Sequence, residues 1–134
     1  MSILQGSHFG WWYIVSLVLV VALIKFLIGL LLNQKWSKLD QVLGLLTPIV
    51  ITIQWLLGIG LWAPIPNAWF HTRGSVTFWE HATTMTLAVA ASHIGWSRAK
   101  RATDSAAKYR IAFISFLITG LLIAMGVSRM KGWM

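Results

Sequence analysis

The chain predicts an all-α integral membrane protein, a four-helix bundle whose spans run up, down, up and down within one domain, 1–134. Three observations predict it. The 134 residues are 57% hydrophobic and 10% charged, with a mean hydropathy of +0.73, too apolar for an ordinary soluble domain. Windows of about 20 apolar residues, the length that crosses a bilayer, fall at 11–32, 39–62, 77–96 and 111–128. The basic residues also segregate. Lys35, Lys38, Arg98, Lys100, Arg101, Lys108 and Arg110 lie in the two links on one side, against Arg73, Arg129 and Lys131 on the other.

That segregation makes the formal charge of +8 a statement about topology rather than a nucleic-acid footprint. It predicts a multi-pass protein of a bacterial inner (cytoplasmic) membrane with both termini outside. Residues 1–10 hold no Lys or Arg, so the first apolar segment reads as a retained span rather than a cleaved signal. With so little chain outside the bilayer, no soluble catalytic or nucleic-acid-binding domain is expected. The absence of Cys excludes thiolate-held iron–sulfur clusters, Cys-attached haem and disulfides.

Span one opens on the aromatic cluster Trp11, Trp12 and Tyr13, of the kind found at headgroup level. Its exception is Lys25, read either as a snorkelling ammonium or as a buried charge facing a polar partner or an anionic lipid. The short link 33–38 makes spans one and two antiparallel neighbours, and Asp40 is placed to cap the second helix. Pro48 interrupts that helix, with Thr47 and Thr52 near enough to satisfy freed carbonyls. Gln54, Trp55, Gly58 and Gly60 follow.

The external link 63–76 carries two prolines, Trp69, Phe70, His71 and Arg73, which suggests an ordered interfacial loop. Residues 97–109 read as a basic loop that would favour anionic headgroups. Span four reads as a packing helix. No repeat of 20 to 50 residues is evident.

Span three carries the chemistry. Ionisable groups at membrane depth are costly, and this span holds Glu80, His81 and His93 among Ala, Thr, Ser and Met. A bundle binds haem b through one or two imidazoles from facing helices, with small residues making room for the ring. Spans one and three run in the same direction, so His8, expected just before span one, and His81 fall on the same outer side and can face each other. His71 is a second candidate partner, and Glu80 can orient an imidazole or meet a quinol. His93, about three turns below His81, is expected near the basic end with no second His. The competing explanations are ordinary. Interfacial His commonly binds water or headgroups, small residues commonly serve close helix packing, and most of the nine Trp are expected at the membrane interfaces.

The motifs His8 with Trp11 and Trp12, Glu80-His81, His93-Ile94-Gly95 and the basic stretch 97–102 resemble those of small bacterial four-helix membrane proteins described as cytochrome b-like. The similarity covers most of the chain. It implies a membrane component of electron transfer, with His8 and His81 as ligands of a b-type haem iron. Such proteins carry a further His in the second span, where this chain has Gln54, so the resemblance implies a single haem.

Two functions follow as expectations. One is a haem-b-binding or quinol-contacting subunit of a respiratory or photosynthetic electron-transport complex, with His8, His81 and Glu80 as its site. The other is a non-redox accessory subunit that stabilises such a complex and binds lipid, carotenoid or chlorophyll, a single His such as His81 or His93 ligating the chlorin magnesium. A transporter using Lys25 and Glu80 finds no support in an inverted repeat or paired broken helices. A chain this small is expected to be a subunit rather than a stand-alone enzyme, with other membrane proteins as partners.

Overall fold

The structure, a computed structural model, describes the backbone of residues 3–62 and 76–131 and the side chains of residues 6–59 and 79–128. It contains four helices: α1 (Ile3–Leu31), α2 (Lys38–Trp62), α3 (Val76–Arg101) and α4 (Ser105–Lys131). The expected all-α four-helix architecture is present. Contacts between neighbours run in opposite register: Lys25 meets Asp40 while Trp11 meets Val50, and Thr52 meets His93 while Trp55 meets Thr86. On the far side His81 meets Gly126 and Gly95 faces Ser115. The helices therefore alternate in direction. α1 packs on α2 and α4, and α3 packs on α4 and, least extensively, on α2.

Three of the four helices are long and apolar enough to cross a membrane, over Gly6–Leu31, Lys38–Ile59 and Ser105–Ser128. Among the described residues α3 is not one of them, in keeping with its reading as the span that carries the polar groups. It is long enough, but its Thr, Ser, His and Arg lower its hydropathy.

Helix ends explain two further departures. Helix α1 begins at Ile3, so His8 lies inside it rather than ahead of it. Between α3 and α4 the expected basic loop shrinks to residues 102–104, because Arg98, Lys100 and Arg101 form the last turn of α3, where cations favour the negative end of the helix dipole. Asp104 then caps α4, its Oδ1 accepting the Ala107 N–H at 2.7 Å.

The α1–α2 link is equally local in origin. Asn33 ends α1 at φ 50°, a left-handed conformation that Asn tolerates. The Gln34 N–H returns to Gly29 O at 2.9 Å, completing a helix-terminating motif. Ser37, not Asp40, is the N-cap of α2. The two form a reciprocal capping box, with Asp40 N–H to Ser37 Oγ at 3.3 Å and Ser37 N–H to Asp40 Oδ2 at 2.9 Å.

Asp40 does more than cap. It is fully buried and binds Lys25, whose Nζ donates to Oδ1 at 2.7 Å and to Gln34 Oε1 at 3.2 Å. The hydroxyl of buried Tyr109 donates to Asp40 Oδ2 and lies 3.1 Å from Lys35 O. Lys25 is thus a paired charge rather than a snorkelling one, and the network ties α1, α2 and α4 together. An aromatic cluster packs beside it: Trp36 lies 5.0 Å from Tyr109, 5.4 Å from Phe26 and 6.2 Å from Trp96, ring centre to ring centre.

Trp96 is therefore a core residue and not a belt residue. Its ring lies over Gly44, where a Cβ would come within 2.1 Å of it. Next to this contact, Pro48 removes the N–H that would reach Gly44 O. Thr47 and Thr52 donate instead to Leu43 O at 2.8 Å and Pro48 O at 2.7 Å, so neither hydroxyl serves the carbonyl that proline frees. Small residues close the α3–α4 seam, where a Cβ on Gly95 would fall 2.1 Å from Ser115 Cβ.

Breaking a buried pair leaves an uncompensated charge, at a cost of about 3–5 kcal/mol. Asp40→Ala is expected to lower unfolding stability in detergent or lipid by about 3 kcal/mol or more, whereas the Lys25→Met/Asp40→Leu double variant recovers most of the loss. A single variant within about 0.5 kcal/mol of wild type would show that the network carries no stability.

Candidate functional site

At the end of the bundle that carries both termini, α1 and α2 are stapled by two side chains reaching opposite backbones. The Trp11 indole N–H donates to Val50 O at 2.8 Å, and Gln54 Nε2 donates to His8 O at 2.8 Å. Trp11 is thereby an inter-helix residue rather than an interfacial one. The His8 ring rests on Gly58, where a Cβ would lie 3.3 Å from Cε1. Glycine is what lets the imidazole approach the α2 backbone this closely.

Within this seam, among the described residues, two buried polar atoms have no hydrogen-bond partner, His8 Nδ1 and Gln54 Oε1. Such groups are rare in folded interiors and cost roughly 1–3 kcal/mol each. Across the bundle, His81 of α3 is near enough to His8 for the two imidazoles to interact electrostatically. Its own ring is fixed: His81 Nδ1 donates to Gly126 O of α4 at 3.0 Å. In the neutral ring Nε2 then carries the lone pair, which is how a backbone carbonyl prepares a ligating imidazole.

His8 and His81 lie at the same end of the bundle, on two helices at opposite corners. Glu80 is half-buried on the same turn as His81, its carbonyl accepting the Thr84 hydroxyl at 2.7 Å. His71 lies outside the described residues. His93 is elsewhere and deeper than expected. Its Nε2 is 2.6 Å from Thr52 Oγ1, a residue about 21 Å along α2 from Lys38 at ~1.5 Å per residue. The His93 ring is therefore level with the middle of α2, while along α3 the residue stands about 7.5 Å before Arg98, at ~1.5 Å per residue.

The small residues of α3 are not arranged around the two histidines. Ala88, Ser92, Gly95 and Ala99 are buried, and they share the helix spacing at which Gly95 meets Ser115 of α4. Their position is that of a helix-packing seam. Beside His8, one turn on, Trp12 begins an apolar groove of about 240 Å³ between α1 and α4, lined also by Val15, Leu19, Gly120, Ile123 and Val127.

Among the described residues no three His, Asp or Glu gather as a metal-ion cluster, so a bare ion would find few protein donors there. A haem iron requires less, because the macrocycle supplies four nitrogens and the protein only one or two axial ligands. The orphaned nitrogen of His8 and the oriented ring of His81 fit that role. Comparison with protein families, curated proteins and solved structures finds no match.

The contacts of Trp11, Gln54 and Gly126 were not legible in the sequence, because they depend on register across seams. Trp11→Phe, which removes one satisfied donor, is expected to cost about 1 kcal/mol of stability. Gln54→Leu removes a bond and an orphaned acceptor together, so its cost should be near zero. Equal losses in the two variants, measured by denaturant unfolding of the cofactor-free chain, would contradict this accounting.

Proposed function

We propose that the chain is a small electron-transfer subunit of a larger membrane complex, holding one b-type haem between His8 and His81 at the end of the bundle that carries the termini. The observation that carries this reading is the buried, unpartnered Nδ1 of His8, at the same end of the bundle as an imidazole whose other nitrogen is already bound to a helix carbonyl. A bound haem supplies one-electron transfer. The chain's part is to hold the two rings: Gln54 and Gly58 fix His8 on α2, and Gly126 fixes His81 on α4. The groove starting at Trp12 suits an apolar tail, which supports quinol as an electron partner at the same end. By its charge distribution this end faces outward from a bacterial inner membrane.

A second reading has its own support. Gln54 already holds the His8 carbonyl, so its Oε1 is near the seam where the His8 ring lies. If these two orphaned atoms pair with each other, the site needs no ligand. The chain is then an accessory subunit that stabilises a complex and contacts lipid, carotenoid or chlorophyll.

A dithionite-reduced minus oxidised spectrum of the purified chain separates the two. The haem reading expects a stoichiometric b-type band that is lost in His8→Ala and in His81→Ala, and retained in His93→Ala. Loss of the band on replacing His93, or its persistence without His81, would place the group elsewhere. An absent band in wild type, with pigment in the extract, would establish the accessory reading.

A further inference from the structure

The four helices do not present the same kind of outer surface. Away from their ends, three of them expose mainly aliphatic side chains, as with Leu17 and Ile24 on α1, Val42 and Ile53 on α2, and Leu117 and Leu121 on α4. On α3 the exposed stripe instead includes Thr83, Thr86, Ala90 and His93, beside Leu87 and Ile94. This is also the helix whose composition falls short of a membrane span among the described residues.

Hydrogen-bond accounting sharpens the contrast. The Thr52 hydroxyl has one proton, and it goes to Pro48 O at 2.7 Å. Its 2.6 Å contact with His93 Nε2 therefore requires the N–H to be on the histidine. The same logic holds one turn away, where Thr86 donates to Ala82 O at 2.8 Å and accepts the Trp55 indole N–H at 3.0 Å. With Nε2 committed, the neutral His93 ring carries its remaining lone pair on Nδ1, which has no hydrogen bond among the described residues. An exposed acceptor thus stands level with the middle of α2, where hydrocarbon offers no donor.

We infer that this stripe of α3 is a docking face for a transmembrane helix of a different protein, one that brings an O–H or N–H donor to His93 Nδ1 and packs closely over Ala90. Lipid does not fit, because acyl chains have no donor at that depth. A second copy packed two-fold about the stripe fits poorly, because it sets one acceptor Nδ1 against another. The complementary surface is a helix with a hydroxyl or amide at mid-span and small residues beside it. This face rests on the larger-complex part of the function proposed above and not on haem.

The chain has no Cys, so single-cysteine variants report cleanly. The test uses the full chain in its native membranes, solubilised in mild detergent and run on native gels, with haem content measured on the same samples. Wild type and the Leu121→Trp control are expected in an assembly larger than the chain alone. Ala90→Trp is expected to run as the free chain, and His93→Leu to weaken association about three- to tenfold, the scale of one inter-helix hydrogen bond in a membrane. Oxidised Ala90→Cys should give no dimer of the chain. Retention of the assembly by Ala90→Trp, a wild type that runs alone, or an efficient Ala90→Cys dimer would each overturn the proposal, the last in favour of a second copy. Loss of assembly with haem retained supports the docking face, and absent haem with assembly intact defeats only the electron-transfer reading.

Discussion

Inside hydrocarbon a polar group without a partner has no water to fall back on, and the arrangement of this bundle follows from that constraint. Lys25 cannot lie in α1 unless Asp40, Gln34 and Tyr109 surround it, so three helices must meet in one register at the basic end. Farther along, the Trp11 indole finds Val50 O, the Trp55 indole finds Thr86, and the His81 ring finds Gly126 O. Each bond joins a different pair of helices or a different level. Against this background of satisfied groups, the orphaned atoms at His8 and Gln54 and the open acceptor of His93 stand out.

Apolar burial adds little discrimination between helices in lipid, because tails are as apolar as Leu. Shape does the sorting instead. Buried positions recur at alternating steps of four and three on α1 (Val15, Leu19, Ala22, Phe26, Gly29) and on α4 (Ala112, Phe116, Thr119, Ile123, Gly126). This is the heptad spacing of left-handed helix packing. Glycine marks the closest approaches: Gly29 under Tyr109, Gly44 under Trp96, Gly95 against Ser115 and Gly126 against Met85. The bundle is thus held by knobs of aromatic rings over glycine and by a few polar staples.

Much of the fold was legible because hydropathy and charge are collective signals. The helix count and the alternating direction came from them. Registers did not. Apolar residues lie on every face of α1 and α4, so the heptad of buried residues is hard to see in hydropathy and is marked mainly by small and polar residues. For the same reason Trp96, expected at an interface, proved to stack in the core, and Lys25 could not be matched with Asp40 without knowing how the α1–α2 link turns. The basic stretch after α3 was read as a loop because cations suggest water, whereas a helix C-terminus accepts them equally well. Small residues on α3 had two readings, and only the contact of Gly95 with Ser115 favoured packing.

Two imidazoles at one end are proposed as a ligand site, while the third described histidine is exposed on the bundle's exterior. The most direct test is nitrogen NMR of the full chain with ¹⁵N-labelled histidine, compared with and without added haem. Large shifts or paramagnetic broadening confined to the His8 and His81 ring nitrogens, with His93 unmoved, is the predicted result. Unchanged His8 and His81 signals, or a response centred on His93, would contradict it.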